Sequence, residues 1–502
     1  MILQTRASVA GDRLGTLVLG VLLAAAALNI GLALVVINRP DEVRYGEAIL
    51  YEHAGRLLRG EALYQPLNTP PYTVAAYTPL YYGLVAGLRA VLGPGFWPGR
   101  LLSFGAGLVA TALVCQLTWR RTHHRRPTLG AGLLFLGLGL VGPIPWTAAY
   151  KEDVLGVALA LGAVAVLDGG VSRGRVVTSA LLAALAILTK QTLLGPAVIG
   201  TLWLGFRQPR LAALYAAVAF GPVLGVAVIL ELTTHAFIAN TVLANVNPFG
   251  LDVLRYNLVV FALFQTGPLL VLVSYLLPRL RPRSIVNDLL IGAWVVSLVP
   301  MLGLAKEGAD DNYWQLFAAF SAVLVMLALW ERRGRLSGAL SSFAVGLNVA
   351  LALMLLSSVA VNEPGQVHPS PAADGAFEHL VALARAAPGA VLADPLDMPV
   401  LADRPIVLEP VIYKLLYQVG LWDAAPLVQR VCNGEVALLV LRYPLGSGTG
   451  LDVAADADHQ WPGPVLDALR RTFVLQEVVA AGGGQRFVYV PDATRAACSD
   501  RA

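Results

Sequence analysis

Charged residues are scarce in this 502-residue chain, at 14% where a soluble protein of this length carries nearer a quarter. Lysine is the rarer cation, present only as Lys151, Lys190, Lys306 and Lys414 against thirty-two arginines, a bias that points to a GC-rich bacterial genome. The net charge of +4 is small and scattered over loops, which excludes nucleic acid as a partner. The chain lacks zinc-ligand spacing, a phosphate-binding glycine loop, a dinucleotide fingerprint and a serine nucleophile elbow. It also lacks a visible internal repeat, which disfavours a repeat-built secondary transporter.

Apolar sequence is what remains. Hydrophobic residues make up 57% of the chain and the mean hydropathy is +0.67. They fall in long blocks, and about 20 apolar residues suffice to cross the hydrocarbon as a helix. The pattern predicts about eleven spans: 14–37, 98–118, 128–148, 153–168, 175–189, 191–206, 211–232, 257–277, 285–304, 313–330 and 337–361. The first follows Arg6 and Arg13, but its apolar run is too long for a secretory signal and no small-residue cleavage site stands out, so it reads as a retained helix. With a cytoplasmic N-terminus, every arginine-dense loop (Arg120–Arg126, Ser172–Arg175, Arg207–Arg210, Arg279–Arg283, Glu331–Arg335) falls on the cytoplasmic side. Lys151–Asp153 and Lys306–Asp311 then face outward.

Two regions lie outside the spans. In the external stretch 38–97, Asp41–Arg59 has helical apolar spacing stopped by Gly60, and Tyr77–Leu92 forms a second apolar and aromatic segment ending at Gly93. Both are expected as interfacial helices, since a twelfth span here would break the charge pattern. The second region, 362–502, alternates helical spacing (Phe377–Ala387, Pro464–Arg471) with short apolar runs (Ala390–Ala393, Ala437–Leu441, Arg486–Val490). That alternation predicts a small external α/β domain following a membrane domain of 1–361. Cys432 and Cys498 lie in it, as either an external disulfide or two free thiols, while Cys115 sits in a span.

Polar residues gather at the outer ends of the spans in four clusters: Asp41–Glu47, Lys151–Asp153, Thr189–Thr192 and Lys306–Tyr313. Any single cluster could simply end a helix at the interface, but four on one side point to a shared aqueous cleft. His53 and His235 are expected as surface residues, and His123 and His124 as part of the basic cytoplasmic loop.

The segment Asp41-Glu42-Val43-Arg44-Tyr45-Gly46-Glu47 resembles the acidic motif after the first span in the glycosyltransferase C superfamily, which includes lipid A aminoarabinose transferases and protein O-mannosyltransferases. The likeness continues through Gly60–Tyr64, Tyr77–Tyr82 and Gly99–Ser103, the last resembling the arginine that opens the family's second span. Asp153 is similar to the second acidic position, and Gly308–Tyr313 looks like a motif of bacterial members. In layout the resemblance covers roughly residues 14–330.

The resemblance implies inverting transfer of a hexose or pentose from a polyprenyl-phosphate carrier to an acceptor hydroxyl on a glycan, lipid or protein of the cell envelope, at the outer face of the plasma membrane. A carboxylate must take the acceptor proton. Asp41 lies nineteen residues before Gly60, longer than expected for the family, and Glu47 thirteen, so either could be that base. Asp153 would assist. Arg100 and Lys190 are candidates to stabilise the leaving phosphate, with Gln191, Asp310, Asp311, Asn312 and Tyr313 binding substrate. No protein metal site is expected, although a divalent cation, Mg or Mn, is a candidate cofactor. The alternatives are a lipid or solute transporter, or a non-catalytic envelope assembly protein.

Overall fold

A computed structural model describes residues 2–140, 144–279, 287–333, 335–362, 371–445, 460–481 and 484–492. The basic loop expected at Arg279–Arg283 lies largely outside these residues. Among the described residues, thirteen helices of eight residues or more build the N-terminal part: α1 (Ile2–Ile37), α2 (Glu47–Leu58), α3 (Leu80–Leu92), α4 (Trp97–Thr122), α5 (Arg125–Leu134), α6 (Asp153–Asp168), α7 (Arg173–Thr189), α8 (Gly195–Gly205), α9 (Pro209–Thr234), α10 (Leu251–Leu276), α11 (Leu289–Val296), α12 (Gln315–Glu331) and α13 (Leu336–Asn362). Among the described residues, six segments are long and apolar enough to cross a membrane: the helical parts of α1, α4, α9, α10 and α13, and Asp311–Glu331 around α12. The other five expected spans coincide with the shorter helices α5, α6, α7, α8 and α11. The protein is a multi-pass helical membrane protein.

Three spans are broken, each for a local reason. The span expected at 128–148 stops as a helix at Leu134 and turns through a π-helical Phe135–Gly139. Gly137 and Gly139 weaken the helix there, and a Cβ at Gly137 would stand only 2.9 Å from that of Ala25 in α1. Gly195-Pro196 restarts the chain as α8 after the 3-10 turn Gln191–Leu194. Similarly, α11 ends before the 3-10 turn Pro300–Ala305. The stretch Asp311–Glu331 is the central rod, with 83% of its most apolar window buried in protein. Its entry is the Asp310–Tyr313 motif.

The C-terminal part carries a four-stranded sheet in the order β1-β2-β4-β3, with β1 (Ala390–Asp394), β2 (Val436–Leu441), β3 (Phe473–Ala481) and β4 (Gly484–Pro491). β1 and β2 are parallel, and the other pairs are antiparallel. β3 escapes sequence reading because it follows helix Gly463–Thr472 with no turn residue between them and is largely solvated. Cys432 is disulfide-bonded and Cys115 is free, while Cys498 lies outside the described residues.

This sheet region is fastened to the stretch between α1 and α4. Tyr72 and Leu408 pair as neighbouring strands: Tyr72 N–H donates to the Val407 carbonyl at 3.0 Å, and Glu409 N–H to the Tyr72 carbonyl at 2.9 Å. The Glu409 carboxylate accepts the Val74 N–H at 3.1 Å, and Tyr72, Tyr413 and Trp422 stack edge to face. One consequence corrects the expected surface helix. Every residue of α2 from Glu47 to Arg56 is buried, sandwiched between the bundle and the segment around Leu396, Val400 and Ile406. His53 is therefore fully buried rather than a surface residue. An amphipathic pattern cannot tell a face that meets lipid from one that meets another part of the chain. His123, His124 and His235 are exposed.

Candidate active site

The site has two walls joined by a four-residue strip. The first wall is the loop after α1. Arg39 clamps the Asp41 carboxylate with two bonds, Nε to Oδ1 at 2.9 Å and Nη2 to Oδ2 at 2.5 Å. Beneath the loop, the fully buried Arg100 donates to the carbonyls of Val36, Arg39 and Asp41 at 2.7–3.1 Å and to both oxygens of Glu47 at 2.6 and 3.2 Å. Glu47 also accepts the N–H of Val43 at 2.9 Å and of Tyr150 at 2.6 Å. A buried ion pair is tolerable only when such bonds satisfy its remaining donors and acceptors, and this one holds four segments together.

The second wall is a buried cation between carboxylates. Lys190 follows α7, and its Nζ lies 2.5 Å from Asp153 Oδ1 and 3.0 Å from Glu152 Oε1. Asn312 Nδ2 donates to Asp153 Oδ1 at 3.0 Å, and the rings of Tyr77 and Tyr313 face the ammonium at 4.9 and 5.9 Å. Several acceptors around it have no hydrogen-bond partner: both oxygens of Glu152, Oδ2 of Asp153 and Oδ1 of Asn312. The Lys190 contact with Glu152 is an ion pair by distance without hydrogen-bond alignment. A cavity of about 20 Å³ opens among Asp153, Lys190, Thr192, Asn312 and Tyr313.

Tyr150–Asp153 is the strip. Its first amide bonds Glu47 and its last carboxylate bonds Lys190, and its two ends are at most about 11 Å apart at their Cα atoms. Lys151 lies on it with its ammonium over Gly46, 2.5 Å from where a Cβ would stand. Gly46 also has φ 86, so the position needs glycine on both counts. Arg44 ties the motifs across the top. It stacks over Trp146 at 3.9 Å and reaches Asp310 at 3.2 Å and Asp311 at 3.7 Å, while Trp146 Nε1 donates to Asp311 at 2.5 Å.

The sheet region supplies a cover. Asp397 accepts the N–H of Glu42 at 2.9 Å. Burial, and then the Asp397 charge, push the Glu42 carboxyl up to about 8, against the opposing pull of Arg442. Burial likewise pushes Glu409 up to about 8. Burial and the Asp153 charge also raise Glu152.

No protein-family profile and no curated protein matches the chain. Solved structures do. The chain is similar to ArnT from Cupriavidus metallidurans in the apo state, with TM-score 0.60 at 14% identity, covering 95% of this chain and 99% of that one. It is similar to the apo oligosaccharyltransferase of Archaeoglobus fulgidus, with TM-score 0.56 at 13% identity over 96% of this chain and 75% of that one. ArnT bound to undecaprenyl phosphate aligns with TM-score 0.50 at 16% identity over 95% and 99%. The chain shares the fold of these two transferase structures over nearly its whole length.

Within this fold, Asp41, Glu47 and Arg100 share the first wall, and Asp153, Lys190, Asn312 and Tyr313 the second. Asp310 and Asp311 meet Arg44 between them. Gln191 stands apart, its amide nitrogen holding the carbonyls of Ala76 at 2.8 Å and Thr241 at 3.0 Å, which fixes the loop beside Tyr77. Residues that sequence reasoning left without a role are Glu42, Arg44, Lys151, Glu152, Tyr77, Asp397 and Arg442. The first four sit within clusters the sequence displays. Asp397 and Arg442 carry no local signal, since only the tertiary fold brings them to Glu42. Among the described residues, no three His, Cys, Asp or Glu side chains converge on a metal position.

Proposed function

We propose that this protein transfers a sugar from a polyprenyl-phosphate carrier to an acceptor hydroxyl, with inversion, at the outer face of the plasma membrane. The cytoplasmic N-terminus and the external placement of 362–502 belong to the same proposal and rest on the arginine distribution. The observation that supports the reading is the Tyr150–Asp153 strip, whose first amide bonds Glu47 of the acidic loop and whose last carboxylate bonds Lys190.

Asp41 is the better base of the two candidates. Its carboxylate is bonded by Arg39 alone among the described residues, whereas Glu47 accepts four bonds and is fully enclosed. Glu47 and Arg100 act as the frame that sets the loop. With the Arg100 donors directed at protein oxygens, stabilisation of the departing phosphate falls to Lys190, with Lys151 at the entrance. Asp153 and Glu152 hold Lys190, and Asn312 and Tyr313 close the pocket against the acceptor. The residues do not fit a divalent cation, because the Lys190 ammonium occupies the position between Glu152 and Asp153 that an ion would take. The deciding experiment is transfer from a synthetic polyprenyl-phosphate sugar by the purified protein. Full turnover by Asp41→Asn would sink the assignment of the base, and absence of transfer with any carrier-linked sugar would sink the reading.

A further inference from the structure

A second cleft, of about 170 Å³, opens at the end of the bundle remote from the Asp41 loop. Gly15 of α1 lines it, and the 22 residues from there to Ile37 rise about 33 Å, the thickness of the hydrocarbon layer. Its floor is apolar, formed by Leu19 and Leu22 of α1 and Met326 of α12. Its rim is cationic, formed by Arg126 of α5 and by Arg333 and Arg335 between α12 and α13. No carboxylate lines it among the described residues.

Trp330 fixes the depth of the rim. Arg333 stacks on its ring at 3.6 Å, and the His124 ring lies 4.1 Å away. Tryptophan beside arginine is the signature of the headgroup layer. The geometry points to a binding site for one anionic phospholipid of the leaflet at that end, its phosphate among the three arginines and a chain along the floor. Basic pockets between membrane helices bind such headgroups by this combination of charge and apolar wall. A zwitterionic lipid would bring a further cation to the rim, and a soluble phosphate would leave the apolar floor uncovered. The site is independent of the transfer chemistry.

The test is native mass spectrometry of the full-length protein titrated with phosphatidylglycerol, phosphatidylcholine of the same chains, and glycerol 3-phosphate. One phosphatidylglycerol should be retained, and neither of the others. Replacing Arg126, Arg333 and Arg335 together by glutamine should lower that affinity roughly a hundredfold, at about fivefold per arginine. Gly15→Phe should also displace the lipid, since a Cβ there meets nothing within 4 Å and the ring can enter the cleft without disturbing its neighbours. Circular dichroism would establish that each variant is folded. Equal retention of the two lipids overturns the proposal, as does wild-type retention by either folded variant. Glycerol 3-phosphate binding as tightly as the lipid would make this a soluble-anion site instead.

Discussion

The carboxylate of Glu47 accepts the backbone N–H of Tyr150 at 2.6 Å, across 103 residues of chain. That one bond sets the start of the strip leading to Asp153, and Arg100 completes the clamp from the other side. Removing either partner leaves a buried charge with nothing to oppose it. Glu47→Gln and Arg100→Met should each cost about 3–5 kcal/mol, and the double variant clearly less than their sum. Thermal unfolding of the detergent-solubilised protein reads this directly. Additive losses would show that the pair is not one unit.

Asp41→Asn should lower kcat by about a hundred- to ten-thousandfold, the usual range for a lost general base. Carrier binding should change little, because the carboxylate acts on the transition state, while the melting temperature should fall because buried Arg39 loses its counter-charge. Equilibrium binding of polyprenyl phosphate separates this outcome from misfolding.

Lys190→Met should weaken carrier binding and turnover together, on the order of a hundredfold or more in kcat/KM, since phosphate charge is present in both bound and departing carrier. A variant that loses turnover while binding carrier normally would move the phosphate away from this pocket.

Stability should depend on pH through Glu42 and Glu409. Both are held at about 8 when folded against an ordinary value of 4.5, so the native protein keeps protons that the unfolded chain has released. Their contribution is fully present below 4.5 and is lost as pH rises through 8. The melting temperature should therefore fall between pH 5 and 9, and Glu42→Gln with Glu409→Gln should flatten that slope. An unchanged slope in the double variant would place the titrating groups elsewhere.

Chelation should leave transfer unaffected, because the Lys190 ammonium holds the position between the carboxylates. Loss of activity in EDTA, restored by Mg or Mn, would show that an ion displaces the ammonium in the working enzyme.

The fold was legible in the sequence wherever length and apolarity decide it, which covers the long spans and three of the four strands. The Asp41–Glu47 and Lys151–Asp153 clusters were legible because charge beside apolar blocks stands out. Which carboxylate Arg39 holds and which Arg100 holds was not, since that depends on where the two guanidinium groups point. The burial of α2 and His53 was hidden for a related reason: their cover comes from residues some 350 positions later.

The pairing of Tyr72 with Leu408 also has a consequence in time. The two positions are 336 residues apart (408 − 72), and at a synthesis rate of roughly 5–20 residues per second the ribosome needs about 17 to 67 s to pass from one to the other. Throughout that interval α2 and Glu42 stand without Asp397 and Glu409, while every intervening span enters the membrane. The acidic loop receives its cover only once the segment around Leu408 has emerged, so a product stalled before it carries the loop without that cover.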